Sequence, residues 1–295
     1  MEASLTRRQR LLGDVDPAQQ RGLEFGPLTN PVVAAQEGSI SYIDYLPTEA
    51  LRAKYGKDPN VDASKIVDVD IVLENGRLPA SVLTGGFDYI VASHVLEHLP
   101  DPIGWLKQCA DALKQNGVLC LALPDKRYTW DILRRTTEIG EWVDGYVMRR
   151  VFPSPGQVFN ATSRTVLMAT GVPWEREPTP ADLCFERDLS DALALATPAA
   201  TTHIDVHCSV FTPADFLRLV GDTHRLGLCT FELGWFHDTR PMEIEFFVGL
   251  RKAPITDSER AAESFFDAAA ALPVRAAKFS ATLTRWRRRV TALVS

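Results

Sequence analysis

The stretch Gly86-Phe87-Asp88-Tyr89-Ile90-Val91-Ala92-Ser93-His94 constrains the fold of this chain more than any other. Residues 87–92 are almost continuously apolar around a β-branched centre, bounded by Gly85-Gly86 and broken by polar Ser93-His94. A short run of that kind is a strand covered on both faces, since a half-exposed strand would alternate. Asp101-Pro102 follows. Asp accepts free N–H groups of a first helical turn, and Pro loses nothing at the first helical position. Ile103, Leu106, Cys109, Ala110 and Leu113 then recur at helical spacing, with Asn116-Gly117 as the stop. Residues 118–123 are a second buried run. Strand, polar turn, helix and strand make a parallel pair with a right-handed crossover, and ligands collect at the carboxyl ends of such strands. Ser93-His94 and Pro124-Asp125-Lys126-Arg127 stand at those two ends, so a site is expected there.

Further strands are predicted around this unit. Residues 21–26 end in a tight turn at Gly26-Pro27; residues 40–45 carry Asp44, and residues 66–73 carry Asp68 and Asp70. Asp44 lies roughly 20 residues past the first turn, the separation of a ribose-binding acid in a Rossmann-like unit. Residues 229–233 and 243–250 are two later strands, antiparallel to each other. Between Tyr128 and Thr202 no sheet periodicity is visible, and a helix is predicted near 130–150. The expected organisation is residues 1–128 as the cofactor-binding half, 129–202 as an insertion or lid over the acceptor site, 203–254 as the remainder of the α/β domain and 255–295 as a helical tail.

With 295 residues, 45% hydrophobic, the chain can bury an ordinary globular core. A net charge of -6 argues against a nucleic-acid partner. The five cysteines form no C-x-x-C pair, and neither a signal peptide nor a membrane-spanning run is present, so reduced thiols and a cytoplasmic location are expected. In the tail, Phe279, Leu283, Trp286, Val290 and Leu293 form one apolar stripe flanked by Lys278, Arg285, Arg287, Arg288 and Arg289 without an acid. Residues 274–295 are therefore expected to dock on the protein or a dimer mate, with peripheral contact to the inner membrane as the alternative.

The order Glu24-x-Gly26, Asp44, Asp70, Phe87-Asp88 with Val95-Leu96-Glu97-His98-Leu99, and Leu113-Lys114-x-x-Gly117 resembles class I S-adenosylmethionine-dependent methyltransferases. The resemblance covers about residues 20–128 and the last two strands. It is closest to bacterial methyltransferase-domain proteins of polysaccharide assembly, which likewise carry Gly-Pro after the first acid and Pro-Asp-Lys-Arg-Tyr after the fifth strand. It implies an α/β, Rossmann-like class I methyltransferase fold: a mostly parallel seven-stranded sheet with an antiparallel strand and a helical insertion. It also implies S-adenosylmethionine as cofactor. Glu24, Gly26 and Pro27 would shape the first loop against the methionine part, Asp44 would hold the ribose hydroxyls, and Asp70 would face the adenine amino group. Ser93 and His94 would border the sulfonium. The implied acceptor is a sugar, sugar nucleotide or glycoconjugate, methylated at oxygen. A catalytically silent scaffold or regulator of polysaccharide assembly is the alternative. Pro27-Leu28-Thr29-Asn30, standing where two more glycines are usual, favours it; Asp44 and Asp70 oppose it.

A hydroxyl acceptor needs a base, and His98, Asp125 and His207 are the candidates. Lys126, Arg127 and Tyr128 are the candidates for holding the acceptor, the two cations for an anionic group. His94-x-x-Glu97-His98 matches an inverted zinc-protease motif, which needs one helix, whereas Pro100 and Asp101-Pro102 start the helix downstream. His203, Asp205 and His207, if extended, would present three ligand-type side chains on one face. That leaves a divalent ion as an alternative, but no resident metal is expected.

Overall fold

The computed structural model describes residues 5–169, 172–254 and 258–272. Seven strands form one sheet: β1 (Arg21–Phe25), β2 (Ser39–Asp44), β3 (Ile71–Val72), β4 (Phe87–Ser93), β5 (Leu113–Pro124), then β8 (Phe231–His237) and β9 (Glu245–Lys252). Their order is β3-β2-β1-β4-β5-β9-β8. The first five run parallel, and β9 lies antiparallel between β5 and β8. The strand order reverses between β1 and β4, the crevice where ligands enter open α/β sheets.

Both central strands are sealed on each face, as their apolar runs require. On one side Ile90, Ala92, Leu119 and Leu121 pack with residues of α3 (Pro102–Ala112), α8 (Pro213–Arg225) and α9 (Ser258–Ala271). On the other, Tyr89, Val91, Cys120 and Phe247 pack with Leu11 and Leu12 of α1 (Arg7–Leu12). α3 begins as its sequence dictates: Pro102 is its first residue, and the Asp101 carboxylate accepts the Gly104 N–H at 2.8 Å. Thr212 caps α8 through the Asp215 N–H. α2 (Thr48–Tyr55) follows β2, whereas residues 26–38 between β1 and β2 form turns and one short 3-10 helix.

The insertion leaves and rejoins the sheet at one neck. Asp125 forms a parallel bridge with Phe211, and the Lys126 N–H donates to the Phe211 carbonyl at 2.8 Å. Between these points lie α4 (Ile139–Val147), α5 (Pro155–Thr162), α6 (Val172–Glu175) and α7 (Leu189–Ala196), with a small antiparallel pair, β6 (Val166–Leu167) and β7 (Cys184–Phe185). That pair was not expected from the sequence, because two-residue strands carry no periodicity. Trp142 of α4 is buried against Phe211 and Phe216, which fixes the insertion to α8.

Three expectations need correction. α3 ends at Ala112, so Leu113 opens β5 beside Phe87, and Asn116-Gly117 lies within that strand rather than stopping the helix. The third strand is Ile71–Val72 rather than residues 66–73. Upstream, the Asp70 carboxylate and N–H bond to the backbone of Tyr42, and Val67 donates to the Leu28 carbonyl. Residues 203–207 are irregular rather than extended on one face, and their side chains part: His203 stacks on Tyr45, Asp205 meets His98 and His207 meets Asp131. The apolar stripe of residues 279–293 lies outside the described residues. Among the described residues, no helix is long and apolar enough to cross a membrane.

Candidate active site

At the carboxyl end of β1 the Glu24 side chain is buried, accepting the N–H groups of Val32 at 2.7 Å and Val33 at 3.1 Å. These bonds fold the following loop back across the strand end. Burial pushes the Glu24 carboxyl up to about 7, against the pull of the two N–H donors. Gly26 has φ +56°, a left-handed conformation suited to glycine, and a Cβ there would meet only Val95, at 3.9 Å. One side of the loop is therefore open. Asp44 closes β2 with 7% exposure; burial raises its pKa, while the N–H groups of Tyr45 and Leu46 act in the opposite direction.

Asp70 does not join this group. It precedes β3 and its carboxylate accepts the Tyr42 N–H at 2.7 Å, two residues short of the end of β2. The carboxyl end of β3 leads instead to exposed Glu74, whose backbone closes a tight turn with Arg77 across Asn75 and Gly76. The Asn-Gly pair after a short apolar run was the sequence mark of that strand end.

Ser93 and His94 leave β4 into a 420 Å³ cleft that Arg7, Glu24, Gly26 and Glu245 also line. His94 has φ +55° and sits between two acids, with Nε2 3.0 Å from Glu245 and Nδ1 3.2 Å from Glu97. Burial opposes its charge, but the two carboxylates raise its pKa to about 9. Glu245 is likewise held at about 2 despite burial, by His94 and by Arg7 at 2.7 Å. Neither Arg7 nor Glu245 stood out in the sequence, because they reach the cleft from opposite ends of the chain.

Beyond His94 the insertion encloses a 750 Å³ cavity, walled by His98, Tyr128, Trp130, Asp131, Trp174 and His207 among others. Tyr128 and Trp174 stack with ring centroids 3.6 Å apart. The His98 and His207 rings meet edge to face, centroids 4.7 Å apart. His98 Nδ1 lies 2.8 Å from Asp205, and His207 Nδ1 contacts Asp131, which Arg134 holds at 2.7 Å.

Of the residues expected on the acceptor side, the structure brings His98, His207 and Tyr128 together and keeps Asp125, Lys126 and Arg127 apart. Asp125 is fully buried, paired with Arg127 at 2.6 Å and accepting the Thr239 hydroxyl at 2.8 Å. Lys126 is buried with Nζ donating to the Ile132 carbonyl at 2.9 Å, and burial lowers its pKa. These three residues build the neck of the insertion and are absent from the cavity wall. Asp131 and Arg134 were missed in the sequence, and Asp205 was read only as a ligand-type neighbour of His203 and His207, since only the path of the insertion sets these residues beside the histidines.

The strand ends fit an adenosyl sulfonium ligand: an open glycine turn after β1, a buried carboxylate closing β2 and a second acid after β3. Sheet order and site together define an α/β protein of the Rossmann-like, class I methyltransferase type. Residues 2–169 match the model of the methyltransferase domain family, and the chain belongs to that family. A ubiquinone biosynthesis O-methyltransferase of Xanthomonas campestris pv. campestris (strain B100) is 29% identical over 97 residues, 33% of this chain and 38% of that protein. The chain thus spans well under half the length of the curated relatives it matches. Among solved structures, an S-adenosylmethionine dependent methyltransferase from Mesorhizobium loti superposes with a TM-score of 0.42 at 12% identity, covering 80% of this chain and 93% of that one. A SAM dependent methyltransferase from Aquifex aeolicus gives 0.39 at 10% identity, covering 83% and 93%.

Proposed function

We propose that this protein transfers the methyl group of S-adenosylmethionine to an oxygen of a sugar, sugar nucleotide or glycoconjugate held in the 750 Å³ cavity. The observation that carries the reading is one turn shared by two spaces. His94 lines the strand-end cleft, and His98, one turn on, lines the cavity. When bound, the cofactor supplies an electrophilic methyl group. Gly26 and Asp44 would hold it, and Glu74 would take its adenine end.

The chain's part is to orient the acceptor and exclude water. His98 and His207 present polar ring edges to the acceptor, each held by an acid. Trp130 and the Tyr128–Trp174 stack offer aromatic surface for the C–H groups of a sugar ring, and Glu186 and Arg187 supply polar groups for hydroxyls or a phosphate. The O-methyltransferase named above supports oxygen as the methylated atom. A silent scaffold is favoured by Pro27-Leu28-Thr29-Asn30 in the first loop and by Arg7, which already bonds Ser93 at 2.9 Å in the cleft. Calorimetric titration with S-adenosylmethionine and its demethylated product separates the two readings. Saturable binding is expected, followed by methyl incorporation into a hydroxylated acceptor in a panel of sugars, nucleotide sugars and glycolipids. No detectable binding at millimolar ligand would overturn the enzymatic reading.

A further inference from the structure

Glu97 is fully buried, and neither of its carboxylate oxygens receives a hydrogen bond. The nearest cationic group, His94 Nδ1, comes to 3.2 Å from Oε1 without the alignment of a hydrogen bond. A carboxylate taken out of water and left without donors is costly, and such groups persist where something else satisfies them. Two imidazoles face it. His98 Nε2 lies 4.0 Å from Glu97 Oε1, and one donor atom from each of Glu97, His98 and His207 falls within 4.8 Å of the other two.

Both imidazoles are prepared in the same way. His98 directs Nδ1 at Asp205, 2.8 Å away, and His207 directs Nδ1 at Asp131. Asp131 is fixed in turn by Arg134, whose second nitrogen donates to the His207 carbonyl at 2.8 Å. An imidazole that donates Nδ1–H to a carboxylate leaves Nε2 as a bare lone pair, the tautomer that binds a metal, with the acid fixing the ring. Two histidines so oriented, beside a buried carboxylate whose oxygens accept no hydrogen bond, are more than a polar cluster.

We propose that Glu97, His98 and His207 bind one divalent transition-metal ion at the wall of the acceptor cavity. Two imidazole nitrogens and one carboxylate suit zinc, manganese, iron or cobalt, whereas magnesium and calcium favour oxygen alone. Glu97 and His98 lie on the 3-10 turn Leu96–His98, and His207 arrives from the insertion, so the ion ties the sheet to the insertion. His98 and His207 line the cavity, so the open coordination positions face it. An acceptor with two neighbouring oxygens, such as a vicinal diol, fits those positions; only this last point rests on the function proposed above. The proposal departs from the expectation, read from the sequence, of no resident metal.

The test uses the full chain, stripped with a chelator and then offered zinc, manganese or cobalt separately. Metal content is measured after gel filtration, and the visible spectrum of bound cobalt reports its ligands. One equivalent per chain is expected. Glu97→Gln and His207→Ala should weaken uptake by more than about 100-fold, and Asp205→Asn, which leaves all three ligands, by about 10-fold. His203→Ala, a histidine outside the cluster, should change nothing. Asp205 is half-exposed, so its variant keeps the test sound if the buried variants misfold. Failure of the wild-type chain to take up one equivalent of any of the three ions overturns the proposal, as does uptake unchanged in Asp205→Asn together with either ligand variant. Binding of the demethylated cofactor is measured in parallel. Cofactor binding without metal removes only this inference, while metal without cofactor binding removes only the methyltransferase reading.

Discussion

His98 Nδ1 and Asp205 Oδ1 meet at 2.8 Å although 107 residues separate them in the chain. One belongs to the turn after the central strand β4, the other to the segment returning from the insertion. The contact therefore joins the part of the fold that the sheet dictates to the part that it does not. The hydrogen bond from His98 also holds the Asp205 carboxyl at about 2, so Asp205 is a carboxylate at neutral pH and accepts from the imidazole. His207 and Asp131 repeat the arrangement deeper in the cavity wall.

This pairing predicts where the acceptor chemistry is lost. His98→Ala and His207→Ala should each lower turnover by roughly 10²–10⁴, the range for a group acting on the transferred proton or on the oxygen that loses it. Cofactor affinity should stay nearly unchanged, because neither side chain lines the strand-end cleft. Turnover within a few-fold of wild type in both variants would place the chemistry elsewhere.

Asp125 should behave differently. Its carboxylate already takes Arg127 and the Thr239 hydroxyl and does not face the cavity. Asp125→Asn is expected to destabilise the protein by about 3 kcal/mol, since it leaves the Arg127 guanidinium without its buried counter-charge. The midpoint of urea unfolding should fall, with turnover of the folded enzyme changed only a few-fold. A loss of 100-fold in turnover at unchanged stability would instead return Asp125 to the list of bases.

On the cofactor side, Asp44→Ala should weaken S-adenosylmethionine binding by about 1–3 kcal/mol, the cost of hydrogen bonds to a charged acceptor. Asp70→Ala should leave affinity close to wild type, because that carboxylate serves the Tyr42 backbone. Isothermal titration of the two variants decides it. A larger loss for Asp70 than for Asp44 would contradict the placement of both.

These contrasts show which parts of the molecule local sequence can reveal. The β4–α3–β5 unit was legible because two apolar runs and an Asp-Pro cap act within a few residues of themselves, although α3 ends at Ala112, before the Asn116-Gly117 pair read as its stop. β3 was not: at the sheet edge only Ile71 and Val72 pair with β2, so the apolar run overstated the strand and put Asp70 where Glu74 stands. Asp125 was correctly placed at a strand end, but its partner Thr239 is 114 residues away and cancels the meaning of that position. Likewise, a local motif shows Glu97 beside His98, yet their convergence with His207 depends on a long insertion whose course has no periodicity to read.

Glu24 supplies a test in which the sign can be worked out in full. Its carboxyl moves from an ordinary 4.5 to about 7 on folding, through burial. The folded state thus holds the proton more tightly than the unfolded one. Below about 4.5 both states are protonated and the contribution to stability is fully present. As pH rises from 4.5 to 7 the unfolded chain ionises while the folded one resists, and stability falls. Above 7 both are ionised and the loss is constant, at about 3 kcal/mol for a shift of this size. Glu24→Gln stays neutral throughout and keeps one carbonyl acceptor for the loop. Urea unfolding of wild type and variant, compared across this pH range, should show their difference moving in favour of the variant by about 3 kcal/mol between pH 4.5 and 7, then levelling. Acids such as Glu245 and Asp205, held low in the folded state, are present in both proteins and cancel in the difference. A difference flat across that window would mean that Glu24 titrates normally, and that the loop from Gly26 to Val33 is open to water rather than folded over the strand end.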